Sequence, residues 1–239
     1  MKGHGHAIVG ATAWLAIAPL AATLAHHPLS PEDLAVGFGL ATGGSLLPDL
    51  DEPHSTVSRA FQPISTGVAY ITKHVSGGHR HATHSILFSV LLGILSTLAI
   101  VNKPYGIGVL AFILYYIAVK ALLPRQSKHY WWLSFLVAGG AAYATMKYVT
   151  PGWWIALAVG AGVFFHLVGD SFTVSGVPFL WPYKRPFGLR WFSTNSSREA
   201  IFTGVLTLLL LALIWFRLVD PAMHQEHLHQ LLQQQLQRR

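Results

Sequence analysis

The sequence predicts an all-α polytopic membrane protein, a helical bundle of about seven spans. Three observations carry this prediction: 52% of the 239 residues are hydrophobic, only 10% are charged, and the mean hydropathy is +0.46. A soluble domain carries about 25% charged residues, so this chain has too little charge to solvate a surface of its size. Cysteine is absent, which excludes disulfides, thiolate metal sites and a cysteine nucleophile.

The membrane spans follow from the length of the apolar runs. A span needs about 20 mostly apolar residues, because about 30 Å of hydrocarbon is crossed at 1.5 Å per residue. The qualifying segments are His6–Ala25, Ser85–Val101, Tyr105–Leu123, Trp131–Tyr148, Trp153–Phe172 and Ala200–Val219. The stretch 34–47 is apolar but short and rich in glycine, and its status decides between six and seven spans.

We expect residues 1–220 to form a single transmembrane domain and residues 221–239 to form a separate tail. The tail is rich in Gln and His and carries leucines on one helical face, which predicts an amphipathic surface helix. The first span lacks the features of a cleaved signal peptide, so we expect it to be retained as an anchor.

The positive charge predicts the orientation of the chain. With seven spans and the N-terminus inside, eleven of the sixteen Lys and Arg residues fall on the cytoplasmic side, as in most membrane proteins. This bias also explains the formal charge of +7. We therefore expect membrane lipids as partners and no nucleic acid; the oligomeric state stays open.

Histidine and carboxylate side chains are concentrated in five polar clusters. In the seven-span arrangement all five lie at the same, cytoplasmic, end of their helices. The clusters are Gly3–His6, Leu47–His54, Gly78–Ser85, His166–Asp170 and Asn195–Glu199. Ionisable groups near membrane depth are costly and therefore indicate function. In a chain without thiolates, His and carboxylate together form a ligand set for zinc, manganese or iron.

The candidate metal ligands come from these clusters. His166 and Asp170 are four residues apart, so they share one helix face and can bind one ion together. The first candidates are Asp49, His54, His84, His166 and Asp170, and the next are His4, His6 and His79. An ordinary alternative exists for some of them, because a His–Asp pair at this spacing is also a common helix-surface interaction.

Three further residues are candidates for the catalytic set. Arg80 suits a phosphate oxygen, because its guanidinium can donate two parallel hydrogen bonds. Asp51 is a candidate for catalysis or for metal binding, although an aspartate beside prolines can also serve a turn. Glu199 is a candidate ligand or general base, and the sequence does not separate these roles.

The order of the motifs resembles the YdjM-type family of inner-membrane proteins, which are assigned as metal-dependent hydrolases. The shared elements are Gly-His near the N-terminus, Pro-Asp-Leu-Asp-x-Pro at 48–53, Gly-His-Arg-x-x-Thr-His-Ser at 78–85, His-x-x-x-Asp at 166–170 and Gly-Val-Pro-Phe-Leu-Trp-Pro at 176–182. The resemblance covers roughly residues 3–200. It implies an inner-membrane location and metal-dependent hydrolysis, with an undefined substrate. By analogy alone, the motif order is also similar to that of the zinc phospholipase C group, helical enzymes that cleave phosphoesters.

We expect a hydrolase that cleaves a phosphoester or related ester of a lipid at the cytoplasmic interface through a metal-activated water. Zinc is the first expectation for the metal, with manganese or iron as alternatives. A phosphohistidine-type lipid phosphatase is an alternative because of Ser76-Gly77-Gly78-His79, but no Ser-Arg pair precedes His166 at the usual distance. A di-iron oxygenase needs more histidine boxes than this chain has. A divalent-cation binding or transport protein is the non-enzymatic alternative, with ligands expected at mid-depth.

Overall fold

The computed structural model describes residues 1–101, 104–123, 131–183 and 185–220, and these residues form helices and turns without a β-strand. The helices are α1 (Gly3–Leu24), α2 (Pro31–Gly44), α3 (Ile64–Val75), α4 (Ile86–Ser96), α5 (Leu98–Val101), α6 (Tyr105–Leu122), α7 (Trp131–Tyr148), α8 (Trp154–Ser171) and α9 (Ser197–Ile214). The predicted all-α fold is confirmed.

Within the described residues, four helical segments are long and apolar enough to cross a membrane: α1, α6, α8, and α9 together with the π-helical turn that continues it to Val219. The predicted span Ser85–Val101 is divided into α4 and α5, and α2 has 14 residues, which cover about 21 Å. The chain therefore has several apolar helices of spanning length, and the seven-span count stays a prediction. The amphipathic helix predicted in the tail lies outside the described residues.

The glycines that make α2 a poor isolated helix are points of close helix packing. α2 packs against α1, α6 and α8. A Cβ atom at Gly43 would collide with the backbone of Leu114 in α6, and one at Gly162 in α8 would collide with the backbone of Ala41 in α2. Small residues let helix backbones approach closely in membrane bundles. The glycines of 34–47 thus place α2 in the interior of the bundle.

Serine caps fix the starts of two helices at the end of the bundle that carries the polar clusters. Ser85 Oγ accepts the backbone N–H of Phe88 at 3.2 Å, so α4 begins directly after His84. Ser196 Oγ accepts the N–H of Glu199 at 3.2 Å and starts α9 in the same way. The 3-10 turns Leu47–Asp51 and Ala82–His84 contact each other at this end.

Candidate metal centre

Two histidines and two aspartates converge beyond the ends of α2 and α8. The Nε2 atoms of His84 and His166 are 3.2 Å apart. Both lie 3.8 Å from Asp49 Oδ1, and both lie 3.8 Å from Asp170 Oδ2. Ligands at about 2.0–2.2 Å around a tetrahedral zinc ion are about 3.3–3.6 Å apart, so these four atoms nearly match the edges of one such site. The structure brings together four of the five first candidate ligands.

The ring of His166 is oriented by a backbone contact. Its Nδ1–H donates to the carbonyl of Ser45 at 2.7 Å, which leaves the Nε2 lone pair directed at the centre. His166 is fully buried, and the ring of His6 stacks on it with centroids 3.6 Å apart and an interplanar angle of 11°. The packing of α1, α2 and α8 therefore fixes the direction in which His166 can bind.

Asp51 supports the ring of His84 from the side opposite to the centre. Its Oδ2 accepts hydrogen bonds from the Thr83 hydroxyl at 2.5 Å and from the Arg80 backbone N–H at 3.1 Å. The same oxygen lies 3.4 Å from His84 Nδ1. Its Oδ1 is 2.7 Å from His79 Nδ1. A carboxylate behind a ligating histidine fixes the ring and raises its basicity. The structure thus places Asp51, predicted as catalytic, as a residue that positions two histidines.

Opposite charges stabilise each other in the turns that carry Asp49, Asp51 and His84. Burial raises the pKa of both aspartates, but His84 beside Asp49, and His79 and His84 beside Asp51, hold the pKa of each well below its usual range. Burial lowers the pKa of His84, but Asp49 and Asp51 outweigh it and raise that pKa to about 9. The negative charge of Asp49 and Asp51, which favours a proton on His84, also favours a metal cation at the centre.

His6 is fully buried, and its ring nitrogens lie beside the centre. Neither ring nitrogen has a hydrogen-bond partner among the described residues, although Nε2 lies 3.3 Å from Asp170 Oδ1. Such a buried polar group costs roughly 1–3 kcal/mol, so its position beside the centre fits a further ligand. In the part of the chain that the structure describes, two trios have ligand atoms within 4.8 Å of one another: His6, His166 and Asp170 form one, and Asp49, His79 and His84 form the other. The buried trio and the partly exposed one can therefore hold one metal ion or two.

Asp170 also binds cationic groups of the chain itself. Its Oδ1 accepts a hydrogen bond from the amino group of Met1 at 2.7 Å, and its Oδ2 lies 2.8 Å from Arg80 Nη2. Arg80 Nη1 donates to Thr173 Oγ1 at 3.0 Å and to the Gly176 carbonyl at 3.2 Å. These bonds hold the guanidinium beside the centre, where the sequence predicted a phosphate-binding arginine.

A polar cleft of about 660 Å³ leads to the centre. Its basic lining residues are Lys2, His4, His54, His79, Arg80 and Lys120, and its acidic ones are Asp49, Glu52 and Asp170. His4 and His54 are exposed in this cleft and belong to neither trio, so the structure does not bring these two predicted ligands to the centre. The centre is thus accessible from one end of the bundle through an opening lined by both basic and acidic side chains.

Glu199 joins two helix starts. The side chain is 4% exposed; Oε1 accepts the backbone N–H of Lys2 at 2.7 Å, and Oε2 accepts that of Asn195 at 2.6 Å. Both carboxylate oxygens are therefore occupied by backbone donors. These contacts tie the start of α9 to the start of α1. The role of Glu199 as a ligand or general base stays a prediction.

Two features of the site were missed by sequence reasoning. The Ser45 carbonyl that orients His166 is a backbone atom, so no residue type signals it. Lys120 is one of the eleven Lys and Arg residues that the charge count assigns to the cytoplasmic side, but it lies in the last turn of α6 and lines the cleft. A cation two residues before the end of an apolar helix was the available signal.

The comparison with known proteins agrees with the motif order. The family model described as YdjM inner membrane protein matches residues 1–224. That range contains every residue of the centre and of the cleft. No curated protein and no solved structure matches the chain.

Proposed function

Because the chain belongs to the YdjM inner membrane protein family, we propose that it is a membrane-embedded, metal-dependent hydrolase that cleaves a phosphoester or related ester of a lipid. The observation that carries this proposal is the convergence of His84, His166, Asp49 and Asp170 at the floor of a polar cleft. Buried ligand atoms beside an open cleft are what a metal hydrolase needs, since its metal must be held by the protein and reached by the substrate.

The donor set supports zinc first. Imidazole nitrogens and carboxylate oxygens at near-tetrahedral spacing suit zinc, and manganese and iron accept the same types of donor. Such an ion, when bound, lowers the pKa of a coordinated water towards 7 and supplies hydroxide at neutral pH. His84, His166, Asp49 and Asp170 would hold it, and the buried imidazole of His6 would lie beside it.

Residues of the cleft supply what a phosphoester requires. The guanidinium of Arg80 is fixed by Asp170 and Thr173, and guanidinium groups bind phosphate oxygens through parallel hydrogen bonds. Lys2 and Lys120 add positive charge to the same cleft. Together these groups favour an anionic headgroup and orient it towards the centre.

The position of the centre favours hydrolysis over cation transport. Transport sites lie near the middle of the membrane on interrupted helices. Here Asp49 and His84 lie in turns, and His166 and Asp170 lie in the last turns of α8. The Lys and Arg bias of the loops supports a cytoplasmic position for this end.

Metal-dependent turnover tests the proposal. Detergent-purified protein is stripped with a chelator, reloaded with zinc, manganese or iron, and assayed with a panel of phospholipids, lipid phosphates and nucleotide esters. We expect the reloaded protein to release product from a lipid phosphoester and the stripped protein to release none. Asp170→Asn keeps the shape of the side chain but removes its charge, so it should lose bound metal and turnover.

Asp33→Asn is the matched control. Asp33 is half-buried and accepts a hydrogen bond from the Ser30 N–H at 3.1 Å at the start of α2, remote from the centre. It should keep metal content and turnover. Turnover that is independent of metal, or full turnover by Asp170→Asn, contradicts the proposal.

A further inference from the structure

A second cavity, of about 650 Å³, lies between α2, α6 and α7. Its floor is one face of α6, because Tyr115, Ala118, Val119 and Leu122 follow the i, i+3, i+4, i+7 spacing of a helix face. α2 and α7 both pack against α6 and form the walls. The cavity is therefore a groove that runs along a membrane-spanning helix.

Except for Glu32 at the start of α2 and a few hydroxyl groups, the lining of the groove is apolar and therefore suited to hydrocarbon. The wall from α7 includes Val137, Ala141 and Ala144, which are exposed on the outside of the bundle. The hydroxyl of Tyr115 is 3.1 Å from Thr145 Oγ1, so this polar atom already has a partner. An apolar groove that opens on the lipid-facing side of a membrane bundle meets acyl chains rather than water.

The groove and the polar cleft meet at the end of α6. Leu122 lines both cavities, and Lys120, two residues earlier, lines the cleft. The last turn of this helix therefore presents a cation to the cleft and an apolar side chain to the groove. Adjacent polar and apolar surfaces of this kind match an amphiphile whose anionic headgroup is next to its hydrocarbon.

We propose that this groove is the acyl-chain subsite of the substrate, which is then a lipid phosphoester with a long chain whose headgroup reaches the centre through the cleft. The inference rests on the proposed function and narrows its substrate class. The α2 lining runs from residue 32 to residue 42, about 15 Å of helix. That length is about half of the ~30 Å hydrocarbon core, the depth available to a chain in one leaflet.

Narrowing the groove tests the proposal. Ala141→Phe and Ala144→Phe add a ring from exposed positions on α7, so the bundle can fold around them. The probes are phosphatidic acid with 16-carbon chains and its water-soluble dihexanoyl form. We expect both variants to lower turnover of the long-chain probe at least tenfold and to leave the dihexanoyl probe within twofold of wild type.

Ala212→Phe is the control, since Ala212 is an exposed residue of α9 outside the groove, and it should leave both probes unchanged. Equal losses on both probes, or unchanged turnover of the long-chain probe, overturn the acyl-chain subsite. Either result leaves the proposed hydrolysis in place.

A binding measurement separates the two proposals if neither probe is hydrolysed. Phosphatidic acid that carries a diazirine in its acyl chain is photo-cross-linked to the full chain in vesicles, and the labelled peptides are identified. We expect labelling concentrated on the groove residues of α6 and α7 and reduced by Ala141→Phe. Uniform labelling of α9 and the groove means annular lipid only and overturns the subsite, whereas groove labelling without turnover of any phosphoester counts against the proposed function alone.

Discussion

Asp51 supports two histidines of the centre from behind their rings, as its contacts with His79 and His84 show. We expect Asp51→Asn to weaken zinc binding by about 10–100-fold, the usual cost of losing a group that orients a ligating histidine. Competition with a fluorescent zinc chelator measures the affinity. Glu52→Gln, a change at the next acidic residue, should stay within twofold of wild type.

The comparison with His84→Ala decides what Asp51 does. A loss as complete as that of His84→Ala would make Asp51 a ligand. An affinity equal to that of wild type would remove its positioning role.

His84 carries a proton that a bound metal must displace. Asp49 and Asp51 raise its pKa to about 9, so the imidazole is protonated at pH 7 in the metal-free protein. Binding through Nε2 requires this proton to leave. We therefore expect about one proton released per zinc at pH 7, and an apparent affinity that rises close to tenfold per pH unit until about pH 9 and then levels off.

Calorimetry in buffers of different ionisation enthalpy counts the released protons. Binding with no proton release and no pH dependence between pH 6.5 and 8 would contradict a protonated His84 in the metal-free protein.

At the scale of residues, the sequence predicted which side chains converge but not how each is used. Ionisable groups near membrane depth indicated His84, His166 and Asp170. Asp49 and Asp51 flank the same leucine, so only the fold of the turn Leu47–Asp51 shows that they face opposite nitrogens of one imidazole.

Glu199 carried a signal that was open to interpretation. Serine followed three residues later by glutamate is the signature of a helix start, and Ser196 and Glu199 do occupy those positions of α9. Because Glu199 also belongs to a polar cluster at the end of a span, the sequence favoured a metal ligand or a general base over a helix cap.

Helix α3 was not predicted from the sequence, because its 12 residues form no apolar run of spanning length. Ile64, Val68, Ile71 and Val75 follow a helical spacing of i, i+4, i+7 and i+11, and all four are exposed. The helix is too short to span a membrane, and it packs against the turn that carries Asp49 and Asp51. An exposed apolar stripe at this end of the bundle is typical of a helix that lies in the membrane interface.

Spin labels test the position of α3. Because the chain has no cysteine, a nitroxide can be attached at Ile71→Cys or, as the control, at Lys73→Cys. In vesicles we expect the label at 71 to be relaxed mainly by oxygen, which concentrates in lipid, and the label at 73 mainly by a water-soluble nickel chelate. The same nickel accessibility at both positions would show that the apolar stripe of α3 faces water.

In the whole molecule, the polar groups from distant parts of the sequence collect at one end. Met1 contacts Asp170, and Lys2 contacts Glu199, so the start of α1 is tied to the end of α8 and to the start of α9. The charge count of the loops predicts that this end lies on the cytoplasmic side. The sequence predicted the shared end, whereas the groove between α2, α6 and α7 depends on packing that no local pattern encodes.

Cysteine labelling tests the orientation. Thr150→Cys lies in the exposed connection between α7 and α8, at the end opposite to the centre, and Ser193→Cys is exposed before α9. In intact cells or right-side-out vesicles, an impermeant thiol reagent should modify residue 150 and reach residue 193 only after permeabilisation. Labelling of residue 193 without permeabilisation would reverse the predicted orientation.

The most direct test of the central claim is the metal content of the purified chain. Wild-type protein and the double variant His84→Ala/His166→Ala are dialysed against the same zinc-buffered solution, and zinc per chain is measured by mass spectrometry, with helical content as the check on folding. The convergence of four ligand atoms on one point predicts one or two zinc ions per wild-type chain and less than 0.1 in the folded double variant. Equal zinc content in the two proteins, or a wild-type chain that retains none, would contradict a metal centre at the end of the bundle.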